Sequence, residues 1–337
     1  MEQHLNDRLT EVLSFYFPNP ERPVLLRRIK SDVFLIGVGS KKYVVKEYSP
    51  TFSPERLNFF EDLQNFTSER MGTLPQVMET SEKQLNVLCD GFGYDLTEFV
   101  KSKTIDRNEV KNKETFFFYM GSFVGNLHRT FSEFEKTGHP TIKSLLKIDS
   151  DTPKGLEDLL KRYQEKGIGE PWVQMVKDKI ALVGAYSSVP DSFALLPQRV
   201  VHGDLYLKNI LLDKNQKIIG LIDFANSGTF FKCYEVIRAV IQTNRFFQKA
   251  DLDPAHLKSF LLGYLENCEL CEDEFEKILS LYIYAQAADA SFLDIDSIHD
   301  SETKKYAMYR FNSLNSLHRN HQLLTSSIND LRKQKRK

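Results

Sequence analysis

Apolar residues recur at helical spacing over Met1–Phe17, and Pro18–Asn19–Pro20 predicts the end of that helix. The period then shortens to that of strands. Three runs, Val24–Ile29, Val33–Val38 and Tyr43–Tyr48, are separated by Lys30–Ser31–Asp32 and Gly39–Ser40–Lys41 and predict an antiparallel meander. A helix is expected over Ser53–Phe66, with Ser53 as its cap and Pro54 in the first turn. Leu85–Tyr94 reads as a last strand running into a glycine-loosened connection. Beyond it helical patterns dominate: the dense apolar Thr115–His128, a charged and proline-containing stretch over 140–198 that holds Trp172, then Leu257–Leu265, Phe275–Ala285 and 303–325. Leu, Ile and Tyr at helical spacing in the last three are most simply core.

Two short apolar runs interrupt the helices, and each ends in a carboxylate. Val200–Val201 delivers His202–Gly203–Asp204 into a loop that carries Asn209 five positions later, and Ile218–Ile222 delivers Asp223. A turn, Lys214–Lys217, joins them. This is the equipment of phosphoryl transfer, in which one carboxylate orients the attacking hydroxyl while an Asn and an Asp hold magnesium. The kinase template asks for His-x-Asp, four residues, then Asn, and His202, Asp204 and Asn209 meet that spacing.

The His-Gly-Asp form of the loop resembles the aminoglycoside phosphotransferase and choline kinase group of small-molecule kinases. The resemblance is strongest over 120–245 and traceable from about 24 to 100. It implies an α+β, two-lobed, protein-kinase-like fold: a small antiparallel sheet lobe over 1–95 with a hinge near 88–95, and a mostly helical catalytic and substrate-binding lobe over 96–337. It further implies transfer of the γ-phosphate of ATP, with GTP as the alternative, to a hydroxyl of a small polar molecule. In that arrangement Asp204 is the base, and Asn209 and Asp223 hold magnesium. Lys46, inside the third strand run, grips the phosphates and pairs with a Glu on the next helix, Glu61 or alternatively Glu55. Ser31 meets a phosphate, and backbone groups near Leu88 and Asp90 meet the adenine edge. His202 is structural, His128 is a core residue, and Glu235 stands where the family usually places an Asp that braces the loop.

The chain departs from protein kinases. It lacks the G-x-G-x-x-G loop, has Ala225 after Phe224, and carries no Ala-Pro-Glu downstream. A silent, spore-coat-like scaffold is the reading from another class, against which the joint presence of Lys46, Asp204, Asn209 and Asp223 argues.

Composition adds limits. The 337 residues suffice for two lobes, each with its own core, and 41% apolar with 27% charged residues is ordinary globular usage. No run approaches a membrane span and Met1–Arg8 lacks a signal peptide's features, so a cytoplasmic location is expected. Cys89, Cys233, Cys268 and Cys271 are too few for a disulfide framework, and Cys268-x-x-Cys271 lacks a second ligand pair. A net charge of −1 suggests no nucleic-acid partner. Its distribution is uneven: thirteen Asp or Glu against two Lys over 251–302. Were Asp289, Asp294 and Asp296 to face a cleft, they would attract a cationic ligand such as an amino sugar or amino alcohol; otherwise they form a solvated acidic face.

Overall fold

The computed structural model describes residues 2–17, 24–30, 32–73, 75–103, 105–136, 140–142, 152–193, 195–215, 217–294, 298 and 300–335. They fall into two compact units that are not contiguous in sequence. The first comprises 1–105, 130–140 and 208–228, and the second 106–129, 141–207 and 229–337.

The first unit opens with helix α1 (Glu2–Tyr16) and a five-stranded antiparallel sheet. The strands are β1 (Val24–Lys30), β2 (Val33–Val38), β3 (Lys41–Tyr48), β4 (Asn86–Cys89) and β5 (Phe92–Glu98), in the order β1-β2-β3-β5-β4. Strand parity sorts the side chains. Phe34, Val45 and Leu96 face one another across β2, β3 and β5, and together with Ile36, Tyr43 and Tyr94 they pack against Leu9, Val12 and Leu13 of α1. The opposite face carries the cross-strand row Val33, Lys46, Asp95 and Asn86. Helix α2 (Pro54–Met71), capped by the Ser53 hydroxyl, meets that face: Phe60 packs on Tyr48, and a side chain at Gly93 would strike Leu57.

Leu85–Tyr94 therefore does not leave the sheet as one strand. Asp90 and Gly91, both with positive φ (52° and 78°), turn β4 directly into β5. Leu88 and Asp90 belong to this hairpin, and the chain leaves the sheet only after Glu98. The unit is completed by a second hairpin, β7 (Ile210–Leu212) with β8 (Ile218–Leu221).

The second unit is helical. Its elements are α3 (Lys113–Ser132, whose last turn lies in the first unit), α4 (Thr152–Glu165), α5 (Trp172–Ala185), α6 (Val189–Phe193), α7 (Lys232–Phe246), α8 (Pro254–Tyr264), α9 (Glu272–Ala288), α10 (Ser301–Arg319) and α11 (His321–Lys335). The helix expected over 303–325 is thus two, broken at Asn320. Strands β6 (Gln198–Val201) and β9 (Gly228–Phe231) pair beside them. Helices α3 and α8 cross on glycines: a Cβ at Gly121 would lie 1.9 Å from the Phe260 carbonyl oxygen, and one at Gly263 would lie 2.0 Å from that of Phe118. Among the described residues no helix is long and apolar enough to cross a membrane.

Candidate active site

In the first unit, Lys46 Nζ donates to Asp223 Oδ1 at 2.8 Å. The short β7–β8 hairpin sets this up. Asn209 immediately precedes β7 and Asp223 follows β8 by two residues, and the Ile222 N–H donates to the Asn209 carbonyl oxygen at 2.9 Å, so both side chains issue from the same end of the hairpin. Asp223 itself has φ 74° and ψ 54°. A left-handed backbone costs a non-glycine residue about 1–2 kcal/mol, and Asp and Asn tolerate it best. The strain holds the carboxylate at the mouth of the turn.

Strand parity places Asp95 opposite Lys46. Asp95 is 3% exposed and accepts the Tyr48 hydroxyl at 2.6 Å; burial pushes its pKa up while Lys46 opposes the shift. Lys46 does not pair with Glu61. Glu61 is fully buried, takes a hydrogen bond from Asn86 Nδ2 at 2.6 Å through Oε2, and leaves Oε1 unpaired. Burial, seconded by the charge of Asp95, raises its pKa to about 9, so it lacks the charge that would draw Lys46. Glu55, the alternative, is exposed in the first turn of α2. Ser31 lies outside the described residues.

In the second unit, β6 ends at the His202–Gly203–Asp204 loop. Gly203 has φ 78°, a conformation open to glycine. Glu235, on the first turn of α7, is fully sheathed beneath the loop: Oε2 accepts the His202 N–H at 2.9 Å and Oε1 accepts the Gly203 N–H at 2.5 Å. His128 Nε2 donates to the same Oε2 at 2.9 Å, and its Nδ1 lies 3.0 Å from the Tyr264 hydroxyl. Burial opposes the charge on Glu235, but the hydrogen bond and charge of His128, with those of His202, outweigh it and hold the carboxyl below its usual pKa. His202 is wholly buried, and its Nδ1 accepts the Asp204 N–H at 3.3 Å.

Asp204 meets a group that the sequence reading passed over. Arg238 Nη2 donates to Asp204 Oδ1 at 3.1 Å and to the Tyr206 hydroxyl at 3.4 Å, while Nη1 donates to the Gly203 carbonyl oxygen. Its guanidinium also lies over the Tyr206 ring, 5.2 Å from the centroid. The signal was available, since Arg238 follows Glu235 by three residues and so shares its helix face. Asp95 was legible by parity once Lys46 was chosen. Of the acidic candidates, Asp289 is engaged by Arg310 at 2.9 Å, Asp294 is exposed, and Asp296 lies outside the described residues.

The fold has well-populated company. An amicoumacin kinase, hAmiN, in complex with AMP-PNP, Ca2+ and Ami aligns with a TM-score of 0.65 at 13% identity over 93% of each chain. A microcompartment-associated aminopropanol kinase aligns at 0.63 and 17% identity, over 97% of this chain and 98% of that one. The choline kinase LicA from Streptococcus pneumoniae aligns at 0.54 and 16%, over 94% and 99%. At these identities the likeness shows the kinase-like fold. None of the curated proteins matches by sequence. The profile of the phosphotransferase enzyme family (APH) matches residues 25–268, more than half of the chain, and the chain belongs to that family.

Proposed function

We propose that the chain transfers the γ-phosphate of ATP, with magnesium, to a hydroxyl of a small polar molecule. That it is a small-molecule kinase follows from its family. The observation that carries the finer reading is the Lys46–Asp223 pair at 2.8 Å, formed between a sheet strand and a hairpin end that also bears Asn209. The structural neighbours are named for amicoumacin, aminopropanol and choline, and one was solved with AMP-PNP, which supports a small polar acceptor and an adenine nucleotide donor.

The donor set fits magnesium. Asn209 and Asp223 offer an amide and a carboxylate oxygen, and magnesium commonly takes only one or two protein oxygens and completes its shell with phosphate and water. When bound, the ion neutralises charge on the transferring phosphates. Lys46 supplies a cation to the same phosphates. Asp204, oriented by Arg238, accepts the proton of the acceptor hydroxyl. His202 and Glu235 hold the loop backbone that carries it. Of the carboxylates that would draw a cationic acceptor, Asp289 is already paired with Arg310.

The test is a thermal-shift titration of wild type and Asp223→Asn with ATP or GTP, with and without magnesium. Asn tolerates the left-handed backbone, so the variant keeps its fold. A magnesium-dependent rise in melting temperature that vanishes in the variant is the expected result, since a ligand of the folded state stabilises it by mass action. No shift with either nucleotide, in a protein that melts cooperatively, would overturn this reading and leave the scaffold.

A further inference from the structure

The second unit holds a small pocket of mixed polar and apolar lining that no part of the phosphotransfer machinery uses. Its walls include Gln242 and Arg245 of α7, Gln286 of α9, and Tyr306, Arg310 and Ser313 of α10. Its cavity volume of about 20 Å3 is room for little more than one water-sized group, enough for a single small polar head and not for a sugar. The Arg245 guanidinium lies 4.1 Å from the Tyr306 ring centroid and 5.3 Å from that of Tyr309, and among the described residues no carboxylate pairs with it. Arg310 is held by Asp289 and by Gln286 Oε1 and lies 5.8 Å from the Tyr306 ring. Ser313, 5% exposed, lies beside Tyr309 and has no well-formed hydrogen bond of its own. Two arginines against one carboxylate leave the pocket with a positive charge and unspent donors.

The pocket connects to Asp204 through named contacts. Tyr306 lies beside Tyr206, Tyr206 takes a bond from Arg238, and Arg238 holds Asp204. Arg238 and Arg245 are seven residues apart on α7, hence on one face and two turns, roughly 10 Å, along the axis. We infer that this pocket is the acceptor's head-group site and that the acceptor carries a carboxylate some six to eight bonds from the hydroxyl that is phosphorylated. The inference rests on the phosphotransfer reading for the place of that hydroxyl. The carboxylate is bound by Arg245, with Gln242 and Ser313 as further donors and Tyr306 fixing the plane of the guanidinium.

Three probes of one length and different charge separate the outcomes: ω-hydroxyhexanoate, hexanediol and aminohexanol, titrated without nucleotide at matched ionic strength and read by calorimetry and thermal shift. The hydroxy acid is expected to bind about tenfold more tightly than the diol. That preference should vanish in Arg245→Gln and return in part in Arg245→Lys, which restores a charge without the fork. Equal binding of the three, a preference for aminohexanol, or a preference that survives Arg245→Gln overturns the inference. The phosphotransfer reading fails separately. A wild type that ignores magnesium and nucleotide but binds the hydroxy acid through Arg245 keeps the pocket and loses the kinase, while nucleotide binding without hydroxy-acid preference does the reverse.

Discussion

Glu235 Oε2 accepts two hydrogen bonds at 2.9 Å, one from the His128 side chain and one from the backbone N–H of His202, while Oε1 takes the Gly203 N–H. Three donors converge on one buried carboxylate, so a loop that must present Asp204 is tied to the helix behind it. Replacement by Gln puts an amide N–H2 where an acceptor is required. The expected cost of Glu235→Gln is about 2 kcal/mol in denaturant midpoint stability, with a fall in turnover. The sign in pH follows from the lowered pKa. The folded state holds Glu235 ionised below the pH at which the unfolded chain does, so its contribution is present above the ordinary value of 4.5 and is lost as pH falls through the depressed one. The variant should lose that acid limb, and an unchanged acid unfolding profile would sink the idea.

Glu61 behaves in the opposite sense. Its folded pKa of about 9 exceeds the ordinary 4.5, so the folded state keeps a proton that the unfolded chain gives up, and stability falls as pH rises through that window. Glu61→Gln keeps the shape and the Asn86 contact and removes the titration. Melting temperatures measured from about pH 5 to about pH 9 should show the variant gaining on wild type by several degrees as pH rises. A constant difference across the range would mean that Glu61 is charged in the fold and that its pairing with Lys46 must be reconsidered.

Much of this was readable before any coordinates. Alternation placed Lys46 inside a strand, and two apolar runs ending in Asp marked both ends of the loop chemistry. What failed, failed for physical reasons. A carboxylate such as Asp95 in an alternating strand reads as solvent-facing, because the pattern alone does not say that a helix covers the second face. The Asp90–Gly91 pair is a strong hairpin signal, yet flanking apolar residues made Leu85–Tyr94 look like one strand. Arg238 shares a helix face with Glu235, but Asp204 lies 34 positions away from it, and helical spacing alone does not name so distant a partner.

Two glycines on helices make opposite predictions. At Gly121 on α3 an added Cβ would lie 1.9 Å from the Phe260 carbonyl oxygen, a backbone atom that cannot swing away, whereas at Gly155 on α4 it would meet nothing within 4 Å. Gly121→Ala should therefore destabilise by at least about 2 kcal/mol through forced separation of α3 and α8. Gly155→Ala should stabilise by about 0.5–1 kcal/mol, because alanine loses less backbone freedom on folding. Parallel urea melts decide both, and a neutral Gly121→Ala would show that the α3–α8 crossing is looser than the contact distances require.

Arg238 makes the sharpest test of the loop. Its guanidinium bridges the Gly203 carbonyl oxygen and Asp204 Oδ1 and lies over the Tyr206 ring, 5.2 Å from its centroid. A planar fork can satisfy both acceptors at once, whereas an ammonium at the end of a flexible stem reaches one or the other. Arg238→Lys should therefore recover only part of what Arg238→Met loses. On the proposed role of Asp204 as base, misplacing its carboxylate is costly, and the Met variant is expected to lose roughly a hundredfold in kcat. Because the contacts are to the carboxylate proposed above to take the acceptor proton, KM for nucleotide should stay within about twofold while kcat falls. If the loss instead appeared in nucleotide KM with kcat preserved, Arg238 would be holding phosphate rather than positioning Asp204. The assignment of its role would then have to move from the acceptor to the donor.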